Sequence, residues 1–191
     1  MKPIFLENIL PPDHCYEIER AFLDHIENGY KDEEEELKNN TGNVGIYAPY
    51  KQIPKLNHFL KDRDTPKSFF NILTDTIKKY YKEPIQYKNS YLRVYYNNCS
   101  LPIHIDRKNL DITLSVNVGG VQDWPIHISN IKKTNGETFE DEMVYRSDYE
   151  TYLIPKGCGV VCYGNYPHWR DKLNCKENEY MMQIFYHWTF I

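Results

Sequence analysis

From Ile85 onward the chain is a succession of short stretches, "IQYKNSYLRVYYN", "DITLSVNV", "WPIHISNIKK", "TYLIPKGCGVVCYG" and "YMMQIFYHWTFI", rich in β-branched and aromatic residues and broken by Gly, Pro, Asn and Asp. Side chains of this kind fit a pleated surface and the breaks are turn formers, so the region reads as strand after strand. The residues before it read differently. After Pro11-Pro12-Asp13, the apolar Ile18, Phe22 and Ile26 recur every four positions until Asn28-Gly29, which predicts a helix over 12–28. Thr65-Pro66 opens a second helix over 66–82, with Phe69, Phe70, Leu73, Ile77, Tyr80 and Tyr81 as its apolar stripe and Pro84 as its stop. The acidic run in "KDEEEELKNNTGNVGIYAPYKQIP" between them reads as a solvated turn leading into a loop.

Two helices followed by about eight strands, with an Asn135-Gly136 turn midway, predict a mainly β, α+β fold. In it, antiparallel sheets curl into a jelly roll and the helices pack on one side. The 191 residues are expected to form a single domain, with 1–84 as helical support and loops and 85–191 as the β core. A formal charge of -4 with scattered Lys and Arg offers no basic stripe, so nucleic acid is not an expected partner. No apolar run approaches the roughly 18 residues of a membrane span, and the start, "MKPIFLENILPPDHCYEIER", lacks a long apolar leader core; a soluble, cytoplasmic protein is expected. The 5 cysteines are odd in number and form no CxxC pair, which favours free thiols and speaks against a Cys-based zinc site.

The chemistry is carried by histidines. Two His-x-acid pairs occur. His25-Ile26-Glu27 lies in the first helix, where residues two apart point away from each other. His104-Ile105-Asp106 lies at a strand end, where period-two alternation sends both side chains to one face and lets them share a metal ion. Two ligands hold a metal poorly, and His168 in "YGNYPHWRDKL" is the candidate third, brought near only if the chain folds into a barrel. Two imidazoles and a carboxylate form the facial set that suits Fe(II) and leaves positions open for substrate and O₂. His14, His58 and His127 read as surface or core histidines, whereas His187, in the last strand, can point into the barrel.

His104-x-Asp106, "ITLSVNV", "WPIHI", "IPKGCGVVCYGNYPHWR" and "QIFYHW", in that order, resemble the Fe(II)/2-oxoglutarate-dependent dioxygenases, in particular the small prolyl-4-hydroxylase-like members, including phage-type ones. The resemblance covers roughly 85–191 and implies a double-stranded β-helix (jelly roll, cupin-like). It also implies an oxidoreductase in which His104, Asp106 and His168 bind Fe(II), with 2-oxoglutarate and O₂ as cosubstrates and ascorbate as a reductant. The activity implied is hydroxylation of an unactivated C–H bond, on a prolyl or other side chain of a protein or peptide.

The distal carboxylate of 2-oxoglutarate needs a cation, preferably a planar fork. Where prolyl hydroxylases carry a Lys or Arg about ten residues after the distal histidine, this chain has Asn178 and Glu179. Arg170 is the expected substitute, because it shares a face with His168 if the strand runs on through "HWRD"; an outward-facing surface role is its alternative. Arg93 in "YLRVYY" is the second candidate, beside Tyr91 and Tyr95, against an alternative ion pair with an acidic side chain. Asn117, on one face of "ITLSVNV" with Ser115, offers hydrogen bonds to the cosubstrate or to a turn. Lys172 and Lys176 read as solvent-exposed, and Trp124 and Trp169 as packing residues. Two further readings stand beside the dioxygenase: a cupin-type metalloprotein that does not use 2-oxoglutarate, and a catalytically silent jelly-roll module that binds a partner. The prime substrate, peptide or small molecule, is not named by the sequence.

Overall fold

The structure is a computed structural model and describes residues 2–27, 50–53, 68–133, 139 and 141–191, with backbone alone at 25–27, 50–53 and 68–71. In chain order the elements are β1 (Ile4–Leu6), α1 (Pro12–Glu27), β2 (Tyr50–Ile53), α2 (Ser68–Lys78), β3 (Ile85–Tyr96), β4 (Leu101–His104) and β5 (Ile112–Gly120). They continue as β6 (Ile126–Ser129), α3 (Glu142–Arg146), β7 (Tyr149–Tyr152), β8 (Gly159–Tyr163), β9 (His168–Arg170) and β10 (Tyr180–Phe190). The strands form a large sheet in the order β1-β8-β5-β10-β3-β2 and a small one in the order β4-β9-β6-β7. Every ladder is antiparallel. This is the expected jelly roll.

Both helices form. α2 stops at Lys78, short of the expected 82, because the next residues tighten: Lys79, Tyr80 and Tyr81 donate their N–H groups three residues back, to Thr76, Ile77 and Lys78. That turn delivers Tyr81 into the core, where it meets Tyr163 edge-on at 5.3 Å. The early part of the chain also contributes strand: β1 extends the large sheet beside β8 and β2 beside β3. Asn28-Gly29, the acidic run, His58, Thr65-Pro66 and Asn135-Gly136 lie outside the described residues.

Strand alternation divides the molecule into two interiors. Leu92 and Val94 of β3, Ile112, Leu114 and Val116 of β5, and Met182, Ile184, Tyr186 and Trp188 of β10 face the helices and pack with Ile18, Phe22, Leu73 and Ile77. Trp188 also donates its Nε1–H to Thr74 Oγ1 at 3.0 Å, which pins α2 to β10. α1 is fastened by Glu19, whose carboxylate accepts from Gly120 N–H (3.0 Å), Lys156 Nζ (2.7 Å) and Tyr180 Oη (2.9 Å). The opposite residues of the same strands, among them Tyr95, Met181 and Phe185, look toward the small sheet and pack with Trp124, Cys99 and Leu173. The site lies in this second interior. All 5 cysteines are free thiols. No helix among the described residues is long and apolar enough to cross a membrane.

Candidate metal centre

His104 is the last residue of β4 and pairs in register with His168, the first of β9. Asp106 follows two residues later, fixed by its own N–H donating to Gly164 O at 2.8 Å. The register therefore closes the 62-residue separation between Asp106 and His168. One ligand atom from each of His104, Asp106 and His168 lies within 4.8 Å of the others, and the two imidazole rings stand 4.2 Å apart.

The hydrogen bonds around these side chains set their chemistry. His104 Nδ1 donates to Pro102 O at 2.9 Å and His168 Nδ1 to Tyr166 O at 3.0 Å. A carbonyl only accepts, so each Nδ1 carries a proton, which leaves Nε2 of each ring as the nitrogen that can ligate. Asp106 Oδ2 accepts from Thr113 Oγ1. Oδ1 is left facing His168 Nε2 at 3.9 Å. Burial, followed by the neighbouring His168, pushes the His104 ring down to about 3. Burial alone would raise the Asp106 carboxyl, but His168, His187, His104 and the Thr113 hydroxyl together hold it below its ordinary value. Neutral imidazole and ionised carboxylate are the forms that ligate, and this donor set fits a divalent first-row metal that keeps further positions for other ligands.

His187 is buried in the same interior. Its Nδ1 lies 2.7 Å from Asn89 Oδ1, its ring stacks on Tyr91 at 5.3 Å, and its Nε2 has no partner. It is the register neighbour of Thr113, which holds Asp106. Burial lowers the His187 ring to about 4. The position of the last strand and its alternation pointed to this placement.

Arg170 points inward with His168, as strand parity required, and Trp169 between them points out, stacked on His127 at 5.3 Å. The Arg170 guanidinium lies 4.7 Å over the Trp124 ring and donates through Nη1 to Trp124 O, while Nε and Nη2 have no hydrogen-bond partner among the described residues. It is 2% exposed, and burial lowers it to about 10. Arg93 faces the same interior, 4.8 Å over the Tyr91 ring and bonded to Tyr95. Tyr91 stacks in turn on Phe185 at 5.0 Å. Asn117 Nδ2 donates to Ile154 O at 2.7 Å, the expected bond to a turn, and ties β5 to the turn before β8. Asn178 is exposed in the loop before β10, and Lys172 and Lys176 are exposed as expected. The side chains of His25 and Glu27 lie outside the described residues. Sequence reasoning did not single out Gln183, although alternation along β10 places it on the face of Met181 and Phe185.

No protein-family model matches the chain, and no curated protein matches it by sequence. Solved structures do match in shape. One is EvdO2 from Micromonospora carbonacea var. aurantiaca complexed with 2-oxoglutarate, with a TM-score of 0.67 at 10% identity over 98% of this chain and 86% of that one. A second is HygX from Streptomyces hygroscopicus with nickel and 2-oxoglutarate bound, with a TM-score of 0.58 at 9% identity, covering 98% and 82%. A third is an oxidoreductase of the 2OG-Fe(II) oxygenase family from Burkholderia pseudomallei, with a TM-score of 0.56 at 8% identity, covering 98% and 84%. The likeness is one of fold. At these identities it shows that this chain has the architecture of those proteins and leaves function to be argued from the site.

Proposed function

We propose that this chain is an Fe(II)- and 2-oxoglutarate-dependent dioxygenase that hydroxylates an unactivated C–H bond. One observation carries the reading: two Nε2 lone pairs and one carboxylate converge from β4, the turn after it and β9, in a barrel whose interior also holds an arginine with unmet N–H groups. His104, Asp106 and His168 would hold the iron. Arg170 would receive the distal carboxylate of 2-oxoglutarate, with Arg93, Tyr91 and Tyr95 lining the same interior and Asn117 supporting the wall. When bound, iron and 2-oxoglutarate supply oxidative decarboxylation coupled to C–H hydroxylation. The chain's own part is to keep the His104 imidazole neutral and the Asp106 carboxylate ionised, to orient all three ligands through Pro102, Tyr166 and Thr113, and to keep water out.

The buried guanidinium favours this reading over a cupin-type metalloprotein without 2-oxoglutarate, because a charge held in a dry interior calls for an anion. It also favours it over a silent binding module. For the prime substrate, the resemblance to prolyl hydroxylases suggests a side chain of a peptide. Structures of similar fold suggest a small molecule: HygX has been solved with hygromycin B and SnoN with nogalamycin RO.

The test is anaerobic titration with Fe(II) and 2-oxoglutarate, followed by exposure to O₂ and assay of succinate. The expected result is a visible charge-transfer band that requires both additions, and slow succinate release that His168→Ala abolishes. Succinate formation equal in His168→Ala and the parent would remove the proposal.

A further inference from the structure

Among the described residues, Arg170 and Gln183 each bury two polar atoms in the barrel interior without a hydrogen-bond partner: Nε and Nη2 of Arg170, and Nε2 and Oε1 of Gln183. Gln183 is 0% exposed and Arg170 is 2% exposed. They stand on opposite walls. Arg170 comes from β9 of the small sheet, and Gln183 from β10 of the large one, between β3 and β5 and in register with Arg93 and Asn117. Met181 and Phe185, its neighbours on the same face of β10, pack with Tyr95 and Trp124, and Trp124 carries the Arg170 guanidinium on its ring. The two side chains thus line one chamber.

Burying an amide with neither atom bonded weakens a fold, and an apolar side chain of similar shape would remove the cost. What the chamber offers is a set of N–H donors from two directions, next to a positive charge. A carboxylate, with about four lone-pair sites and no donor, satisfies the donors Nε and Nη2 of Arg170 and Nε2 of Gln183, and leaves the Gln183 Oε1 acceptor pointing away from it. Arg170 and the metal ligand His168 are two residues apart on one strand, about 6.6 Å along it, so an anion held here can belong to a molecule whose other end reaches the metal.

We infer that Gln183 is the neutral half of a carboxylate clamp whose charged half is Arg170, and that it makes the site select dicarboxylic over monocarboxylic 2-oxoacids. The inference rests on the dioxygenase reading and assigns a specificity-determining role to a residue of the last strand, where the expected cation is missing.

The test is calorimetric binding to the full chain loaded with Mn(II), using 2-oxoglutarate and 2-oxopentanoate, which has the same carbon chain without the distal carboxylate. In Gln183→Leu, 2-oxoglutarate affinity should fall about 10- to 100-fold, the range for one hydrogen bond to a charged group. Affinity for Mn(II) and for 2-oxopentanoate should be unchanged, and the metal-free variant should melt at or above the parent temperature. Gln183→Glu, which sets a carboxylate against a carboxylate, should lose 2-oxoglutarate more completely than Gln183→Leu does. Parent-like 2-oxoglutarate binding in Gln183→Leu, or an equal loss for both oxoacids, overturns the clamp alone. A parent that binds Mn(II) but not 2-oxoglutarate overturns the dioxygenase reading and the clamp with it.

Discussion

Gly164 follows β8 and touches the metal site without contributing a ligand. Its N–H donates to Asp111 O at 2.9 Å and its carbonyl accepts the Asp106 N–H at 2.8 Å, so it fastens both ends of the loop that carries Asp106. A Cβ added there would lie 2.0 Å from Leu110 O, 3.1 Å from Asp106 Cβ and 3.2 Å from Asp106 Oδ2. Carbon and carbonyl oxygen rest no closer than about 3.3 Å, so in Gly164→Ala the Leu110 carbonyl must retreat by about 1.3 Å. Leu110 belongs to the same turn, closed by its N–H to Arg107 O at 3.0 Å, and the retreat drags Asp106 with it. Overpacking of this kind costs about 1–3 kcal/mol of stability. The displaced carboxylate should cost metal affinity at least the roughly 10- to 100-fold seen when a ligand's supporting contact is lost. Titration of Mn(II) into the metal-free protein reads the second effect. Ile77→Ala, which cuts into the helix-facing core at the cost of about 2–5 kcal/mol, separates geometry from stability. It should bind Mn(II) like the parent once folded. If Gly164→Ala keeps parental affinity, or Ile77→Ala loses as much, the argument from close approach fails.

Two further predictions test the surroundings of the ligands. Thr113→Val keeps the shape of the side chain but removes the hydrogen bond to Asp106 Oδ2, and should weaken Mn(II) binding about 10-fold or more while leaving β5 paired; unchanged affinity would show that the contact is incidental. The second concerns pH. The His104 and His187 rings are held at about 3 and about 4, below the roughly 6.5 of an unfolded imidazole. Between those values the unfolded chain binds two protons that the folded metal-free chain does not. Stability is therefore lost as pH falls below about 6.5, by up to about 1.4 kcal/mol per pH unit for each ring. Urea unfolding at pH 7 and pH 5 should show the fall, and His187→Phe should reduce its slope. Equal slopes in parent and variant would exclude His187 as a contributor.

The spacing of His104 and Asp106 at a strand end made the pair legible, but β4 stops at His104, and the Asp106 N–H bond to Gly164 O rather than strand alternation sets the carboxylate beside it. Parity on β9 put Arg170 on the face of His168, one of the two positions the sequence allowed it. His168 could be named as third ligand, but its approach depends on the β4–β9 register, a pairing between distant segments that local pattern does not encode. β1 and β2 escaped notice for a different reason. With three and four residues they carry too little alternation to stand out, and they form because β8 and β3 offer edges to pair with. α3 is a single turn, capped by Asp141 accepting from Met143 N–H, inside a stretch that reads as loop. Gln183 was hidden by its type. A neutral amide in "YMMQIFYHWTF" gives no charge signal, and its meaning appears only when both its polar atoms prove to be buried and unmet.

The division into two interiors explains how such a barrel tolerates its contents. Between the sheets, β3, β5, β9 and β10 present Arg93, Ser115, Asn117, Arg170, Gln183 and His187, all buried, where a sandwich of this size would ordinarily place aliphatic side chains. The cohesion must then come from the other face of the large sheet, where Phe22, Leu73, Ile77, Ile112, Leu114, Ile184 and Trp188 form an apolar layer under the helices. That gives α1 and α2 a physical purpose beyond cover. By supplying a dry core behind β3, β5 and β10, they free the inner face for buried polar and charged side chains. Substitutions in the two layers should accordingly differ in kind. Truncation under the helices should lower stability and leave affinity intact in the folded fraction, whereas Gln183→Leu between the sheets should hold or raise stability and weaken 2-oxoglutarate binding.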